Sequence, residues 1–215
     1  MPMPKFAGLI FDLDGTLSDS VPMIMKSAES VHGKLELPWN AEEFAGFIGR
    51  PLYETAAFYA AGREQEYLEL FREFNTLYIP KMIKPFPGIP TLLAKLQDKG
   101  VPLAIVTSRL QWSTEWSLEL LGIKGYFTAV LGVEASVKHK PNPEPALLAL
   151  EKLGVAAEKA AFIGDAAVDI ECGRAAGMQT IGVGWGVAGG ELKALARPDY
   201  FAGDVNELAR LLLLD

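Results

Sequence analysis

Phe6-Ala-Gly-Leu-Ile-Phe11 runs without a break into Asp12-Leu-Asp14-Gly15-Thr16, and the reading of that junction decides the fold. The first half is a short apolar run that ends in acid, so it reads as a buried strand rather than a signal peptide. Asp12 and Asp14 stand two residues apart and would share one face of an extended segment. Gly15 then lets the chain turn away tightly. A calcium loop beginning at Asp12 is disfavoured, because it would place Leu17 where glycine is needed and Met23 where a bidentate glutamate is needed.

Beyond this junction the pattern divides in two. From Ser18 to Lys84 no strand is convincing, and Ala41 to Ala61 and Arg63 to Ile83 carry apolar residues at helical spacing, such as Tyr67, Leu70, Phe71, Phe74, Leu77 and Tyr78. Lys84-Pro-Phe-Pro-Gly88 supplies turn formers and a hinge. From Gly88 onward strands alternate with helices. Strands are expected at Pro102–Thr107, Tyr126–Leu131, Ala160–Gly164 and Thr180–Val183. Helices are expected at Ile89–Lys99, Trp112–Leu121, Pro143–Leu153, Val168–Ala176 and Val205–Leu214, the first four stopping at glycine. This alternation predicts an α/β fold, a doubly wound Rossmann-like parallel sheet covered by helices on both faces. Residues 1–17 and 85–215 would form that core, and residues 18–84 a small α-helical cap domain.

Ligands of such sheets bind beyond the carboxyl ends of the strands. The residues there are Asp12-Leu-Asp14-Gly15-Thr16, then Thr107-Ser108-Arg109, then Lys138-His-Lys140-Pro141, then Gly164-Asp165 with Asp169. Converging on one cleft, they bring the parts phosphoryl transfer needs. Carboxylates hold a hard divalent cation, hydroxyl and backbone N–H groups bind phosphate oxygens, and a lysine neutralises charge that builds up in transfer.

In this order Phe11-Asp-Leu-Asp-Gly-Thr-Leu17, Val106-Thr-Ser108, Lys140-Pro141 and Gly164-Asp165 with Asp169 resemble the four motifs of the haloacid dehalogenase-like hydrolase superfamily. The resemblance spans essentially the whole chain, and residues 18–84 look like that superfamily's cap inserted after the first motif. Within it, Lys140-Pro-Asn-Pro-Glu-Pro and Ala196-Arg-Pro-Asp-Tyr200 look most like the phosphoglycolate phosphatase and pyrophosphatase branch, which implies a phosphoglycolate-type phosphatase, with pyrophosphatase the alternative.

The resemblance, together with the chemistry, implies a role for each residue. Asp12 would be the nucleophile that forms an aspartyl-phosphate, and Asp14 the acid and base, with its backbone carbonyl a metal ligand. Thr107 would hold a phosphate oxygen through its hydroxyl, with the Ser108 backbone N–H assisting. Lys140 would bridge phosphate and Asp12. Asp165 would bind Mg2+ directly, and Asp169, one helical turn on, would hold a metal-bound water or Lys140. Ala166 departs from the pattern, since family members often carry Ser, Thr or Asn there. Arg50, in a Gly/Pro-bounded turn of the cap, would contact a second anionic group on the substrate.

Several rival readings are open to test. A phosphosugar mutase of the β-phosphoglucomutase kind usually carries adjacent acids where this chain has Gly164-Asp165. A dehalogenase should lack Asp14 with Gly15-Thr16. A non-catalytic binding protein would have lost Asp12, Lys140 or Asp165. Gly184-Trp-Gly186-Val-Ala-Gly189 formally matches a dinucleotide fingerprint, but too little chain follows it, so these read as turn glycines.

Composition bounds the rest. The net charge is −7, which disfavours nucleic acid and anionic membrane as partners but leaves room for a small anionic phosphometabolite. The single cysteine, Cys172, reads as a core thiol and fits a cytoplasmic protein, monomer or homodimer.

Overall fold

The structure, a computed structural model, describes residues 5–213. Strand β1 (Gly8–Phe11) is followed by helices α1 (Val21–Leu35), α2 (Ala41–Ala45), α3 (Leu52–Tyr59) and α4 (Glu64–Met82). The alternating part then runs α5 (Ile89–Asp98), β2 (Leu103–Val106), α6 (Gln111–Leu120), β3 (Ala129–Leu131), α7 (Glu144–Leu153) and β4 (Ala160–Gly164). It continues with α8 (Ala167–Ala175), β5 (Gln179–Val183), α9 (Leu192–Leu195), β6 (Tyr200–Ala202) and α10 (Val205–Leu213). The six strands form one sheet in the order β3-β2-β1-β4-β5-β6. Every pairing is parallel, with Phe11 in register with Ile105 on one side and Ile163 on the other.

The near-continuous apolar runs are explained by burial on both faces. Leu9 and Phe11 point with Leu103, Ile105 and Ile163 into a layer completed by Leu92, Leu93 and Leu96 of α5 and Leu208 and Leu212 of α10. Ile10 points the other way, with Ala104, Val106 and Phe162, against Ala146, Ala149 and Leu150 of α7 and Cys172 of α8. Full burial of each large β1 side chain contributes roughly 1.5–3 kcal/mol. The first and second strands are thereby fixed in register, and so are the polar residues just beyond them. This is the doubly wound α/β fold.

Helices α1 to α4 gather around a different apolar cluster, in which Val31, Leu35, Phe44, Tyr67 and Phe71 are buried. Two adjacent segments connect them to the sheet. The Asp19 N–H donates to the Lys84 carbonyl at 2.9 Å, and the Phe86 N–H donates to the Leu17 carbonyl at 3.1 Å.

Several boundaries differ from expectation. The helical pattern over Ala41–Ala61 is two short helices, because Gly46, Gly49 and Pro51 break the run between them. The strand expected from Tyr126 starts only at Ala129, and Lys124–Tyr126 form a 3-10 turn. Strand β6, three residues at the sheet edge, has no expected counterpart. Leu214, the expected end of the last helix, lies outside the described residues. Among the described residues no helix is long and apolar enough to cross a membrane.

Candidate active site

The carboxyl ends of β1, β2 and β4, with the loop after β3, bring their polar residues to one place. Asp12, Lys140, Asp165 and Asp169 are 2%, 4%, 1% and 0% exposed. The Lys140 ammonium donates to Asp12 Oδ1 at 3.0 Å and to Asp169 Oδ1 at 2.6 Å. Burial opposes the charge on Lys140, but the two carboxylates outweigh it and hold the group above the ordinary lysine range. Asp12 is raised as well, well above the ordinary carboxylate range. Burial raises its proton affinity, Lys140 works against that, and Asp169, Asp165 and Asp14 add to the rise.

Asp165 is held from two sides. The Thr16 hydroxyl donates to Oδ1 at 2.9 Å and the Val187 N–H donates to Oδ2 at 2.8 Å. Burial, then Asp169, pushes Asp165 up to about 7. The glycines around it follow from how closely the chain passes. A Cβ on Gly15, which has φ 79°, or on Gly186 would run into the Asp165 carboxylate. The second of these accounts for the glycine-rich stretch after β5: it packs on the acid and supplies an N–H to it. Trp185 ties the same stretch to the first motif, its ring N–H donating to the Thr16 carbonyl at 3.1 Å.

Asp165 does not cap α8. That job falls to Asp169, whose Oδ2 accepts the Ala166 N–H at 3.1 Å while its Oδ1 faces Lys140. Both Asp169 oxygens are therefore engaged by the protein.

Carboxylate oxygens of Asp12, Asp165 and Asp169 lie within 4.8 Å of one another. Three buried carboxylates against one lysine leave excess negative charge in a water-poor setting, which is unfavourable without a further cation or protons. An all-oxygen donor set of this kind suits a hard divalent ion. The residues present fit such a metal.

Asp14 stands outside that trio. Arg109 grips both of its oxygens, Nη2 to Oδ1 at 2.7 Å and Nε to Oδ2 at 3.1 Å, and the Ser20 hydroxyl donates to Oδ1 at 2.6 Å. The metal role expected of Asp14 concerned its carbonyl, and its carboxylate is committed to Arg109 and Ser20. Arg109 is itself anchored through Nη1 to the Ser117 hydroxyl at 2.8 Å. Sequence reading placed Arg109 at a strand end but gave it no task. Its position two residues past Thr107 was the available signal; for Ser20 there was none.

A cavity of about 180 Å³ opens above Asp12 and Asp14, with Thr107, Ser108 and Arg109 on its core side and residues of α1 to α4 opposite. Thr107 is buried and lines it. Ser108 lines it too, and its hydroxyl donates across to the Gly49 carbonyl at 2.6 Å, joining the sheet edge to the turn that carries Arg50. Arg50 lines the cavity as an exposed residue, its guanidinium carbon 5.8 Å from the centre of the Phe47 ring. Lys138 is exposed, and the half-buried His139 packs near Tyr53. Cys172 is a core thiol, pushed up to about 12 by burial.

The chain is similar to known proteins over nearly its whole length. Residues 9–183 match the family model described as haloacid dehalogenase-like hydrolase. The chain is 32% identical over 209 residues to pyrophosphatase PpaX of Bacillus velezensis, covering 96% of each chain. It is 34% identical over 208 residues to phosphoglycolate phosphatase of Aquifex aeolicus, covering 95% of each. Among solved structures, a haloacid dehalogenase-like family hydrolase from Streptococcus pneumoniae superposes with a TM-score of 0.84 at 27% identity, over 95% of this chain and 97% of that one.

Proposed function

The chain belongs to the haloacid dehalogenase-like hydrolase family, and we propose that within it the protein is a Mg2+-dependent phosphatase that cleaves a small phosphorylated metabolite by way of an aspartyl-phosphate on Asp12. The observation that carries this reading is the buried Asp12–Lys140–Asp169 chain beside Asp165, of which Asp12 reaches the cavity that Asp14 and Thr107 also line.

An Asp12 carboxylate oxygen attacks phosphorus, and the ester P–O bond breaks. Asp14 gives its proton to the departing oxygen. In the second half Asp14 takes a proton from water, the resulting hydroxide oxygen attacks phosphorus, and the acyl P–O bond breaks to release Asp12 and phosphate. Arg109 and Ser20 fix the position of the Asp14 carboxyl group beside the cavity, so that it is in place for both proton transfers. Lys140 lessens repulsion between Asp12 and the incoming phosphoryl group, and Asp169 keeps that lysine aimed. Thr107 and the Ser108 N–H bind phosphate oxygens.

Asp165 and Asp12, with the Asp14 carbonyl, are the residues that would hold Mg2+, and Asp169 would support it from behind. When bound, the ion supplies charge neutralisation for the transferring phosphoryl group. Residues 18–84 act as a cap that closes over the cavity and excludes water, hinged at the paired segments near Leu17–Ser20 and Lys84–Gly88. Arg50 contacts a second anionic group of the substrate.

Relatives named as phosphoglycolate phosphatase and as pyrophosphatase favour a small, highly charged substrate. Phosphate release from phosphoglycolate, pyrophosphate and hexose phosphates, with and without Mg2+, tests the reading. Mg2+-dependent release that Asp12→Asn abolishes supports it. No release from any compound by folded protein with Mg2+ would contradict it.

A further inference from the structure

The two halves of the cavity differ in chemistry. Its floor is ionic, whereas the wall facing it is mostly carbon, formed by Ile24, Phe47, Ile48, Leu52, Leu68 and Phe71 with Thr55 among them. The polar side chain of Asn75 on that side has its oxygen occupied by the Ser27 hydroxyl at 2.8 Å. Two further lining residues, Arg50 and Arg72, are exposed and so stand at the mouth. Neither guanidinium has a carboxylate partner among the described residues.

Asp14 and this wall line the same cavity, so a leaving group bound beside Asp14 would share that space with the wall. A second phosphate placed there would lose its water to aliphatic and aromatic carbon, which is costly for a charged group. A glycolate group carries its carboxylate only two carbons from the ester oxygen and would leave most of the wall uncovered. The cavity is about 180 Å³, and a dry cavity of about 150 Å³ lined by similar side chains is large enough to admit benzene. The volume must hold both the phosphoryl group and a compact apolar body.

We propose that the preferred substrate is a phosphate monoester of a primary or secondary alcohol with a compact apolar body, ending in an acidic group that the mouth arginines Arg50 and Arg72 receive. This inference rests on the phosphatase reading and narrows its substrate class. The phosphate sits on the floor, the body covers the apolar wall, and the far anion meets the two guanidinium groups. Arg72, on α4, becomes a specificity-determining residue.

The test compares kcat/KM for ethyl, butyl, benzyl and 4-carboxybenzyl phosphates, all esters of primary alcohols, with phosphoglycolate and pyrophosphate, in the presence of Mg2+. Each methylene buried on the wall should raise kcat/KM roughly fourfold, so benzyl phosphate should exceed ethyl phosphate by at least roughly tenfold. The carboxyl group should add a further gain of roughly tenfold that Arg72→Ala removes. Leu68→Gln, at a half-buried wall position, should narrow the benzyl-to-ethyl ratio. A ratio of one or below, or pyrophosphate and phosphoglycolate exceeding the benzyl esters, would overturn the apolar subsite. A carboxyl gain that is absent, or that survives Arg72→Ala, would overturn the assignment of the mouth. Turnover of none of the six compounds would instead overturn the phosphatase reading itself.

Discussion

The sheet edge and the four helices above it solve opposite problems. At the sheet edge the charged side chains of the proposed site are buried or part-buried, and each has a partner. Lys140 lies between Asp12 and Asp169, and Arg109 closes on Asp14. On the helical side the charged groups that face the cavity, Arg50 and Arg72, are exposed, and the buried material is mostly apolar and aromatic, with Ser27, His32 and Thr55 the buried polar residues. Reaction chemistry asks for groups locked before the substrate arrives. Recognition asks for surface that the substrate itself completes. On the proposed reading, catalysis belongs to the first region and choice of substrate to the second.

Substitutions can break that division. Lys140→Met should lower kcat by about a thousandfold for every substrate, the scale of losing one fixed electrostatic partner of the transition state. Steady-state kinetics at saturating Mg2+, with circular dichroism to confirm folding, checks it. A loss confined to KM for one substrate would move Lys140 from catalysis to recognition.

A second prediction concerns proton linkage at the acidic cluster. Asp165 is raised to about 7 by burial and by Asp169, so between its unfolded value of about 4 and that point the folded state binds more protons than the unfolded one. The stabilising contribution is therefore full below about pH 4 and lost as pH rises through about 7, on the order of 4 kcal/mol for the metal-free protein. Thermal melts with a chelator should show a lower Tm at pH 8 than at pH 6, and added Mg2+ should recover most of the difference. A metal-free Tm that is flat or rises over this range would contradict the charge imbalance.

Arg109→Leu should cost roughly a hundredfold in kcat while changing KM little, because it frees Asp14 without touching the phosphate site. The conservative Arg109→Lys should recover part of this loss, as a purely structural role would not require. The smallest effect falls on the other side of the cavity. Arg50→Ala should raise KM about tenfold for an anionic substrate and much less for a generic aryl phosphate. Equal effects on both would remove Arg50 from recognition.

The same division governs what could be read in the sequence. The strands that carry the site announce themselves, since Leu9-Ile-Phe11 and Leu103–Val106 are apolar on both faces and end in polar residues. Edge strand β6 is three residues long and half-exposed at Tyr200 and Phe201, so it lacks that pattern. The bonds of Thr16 to Asp165 and of Trp185 to Thr16 span 149 and 169 residues, and Ser20, six residues from Asp14, carries no motif that marks it. Within the helical region, periodicity marks α4 well, but it runs straight through the turn at Gly46–Pro51 that separates α2 from α3. Which of its apolar residues line the cavity and which fill the core is a matter of packing, and no motif records it.

The central claim is that Asp12 itself carries the phosphoryl group. Mass spectrometry of protein acid-quenched within one turnover tests it most directly. The account predicts that the peptide containing Asp12 gains the mass of one phosphoryl group, with the gain absent in Asp12→Asn. Turnover without any such adduct, or an adduct that survives in Asp12→Asn, would contradict it.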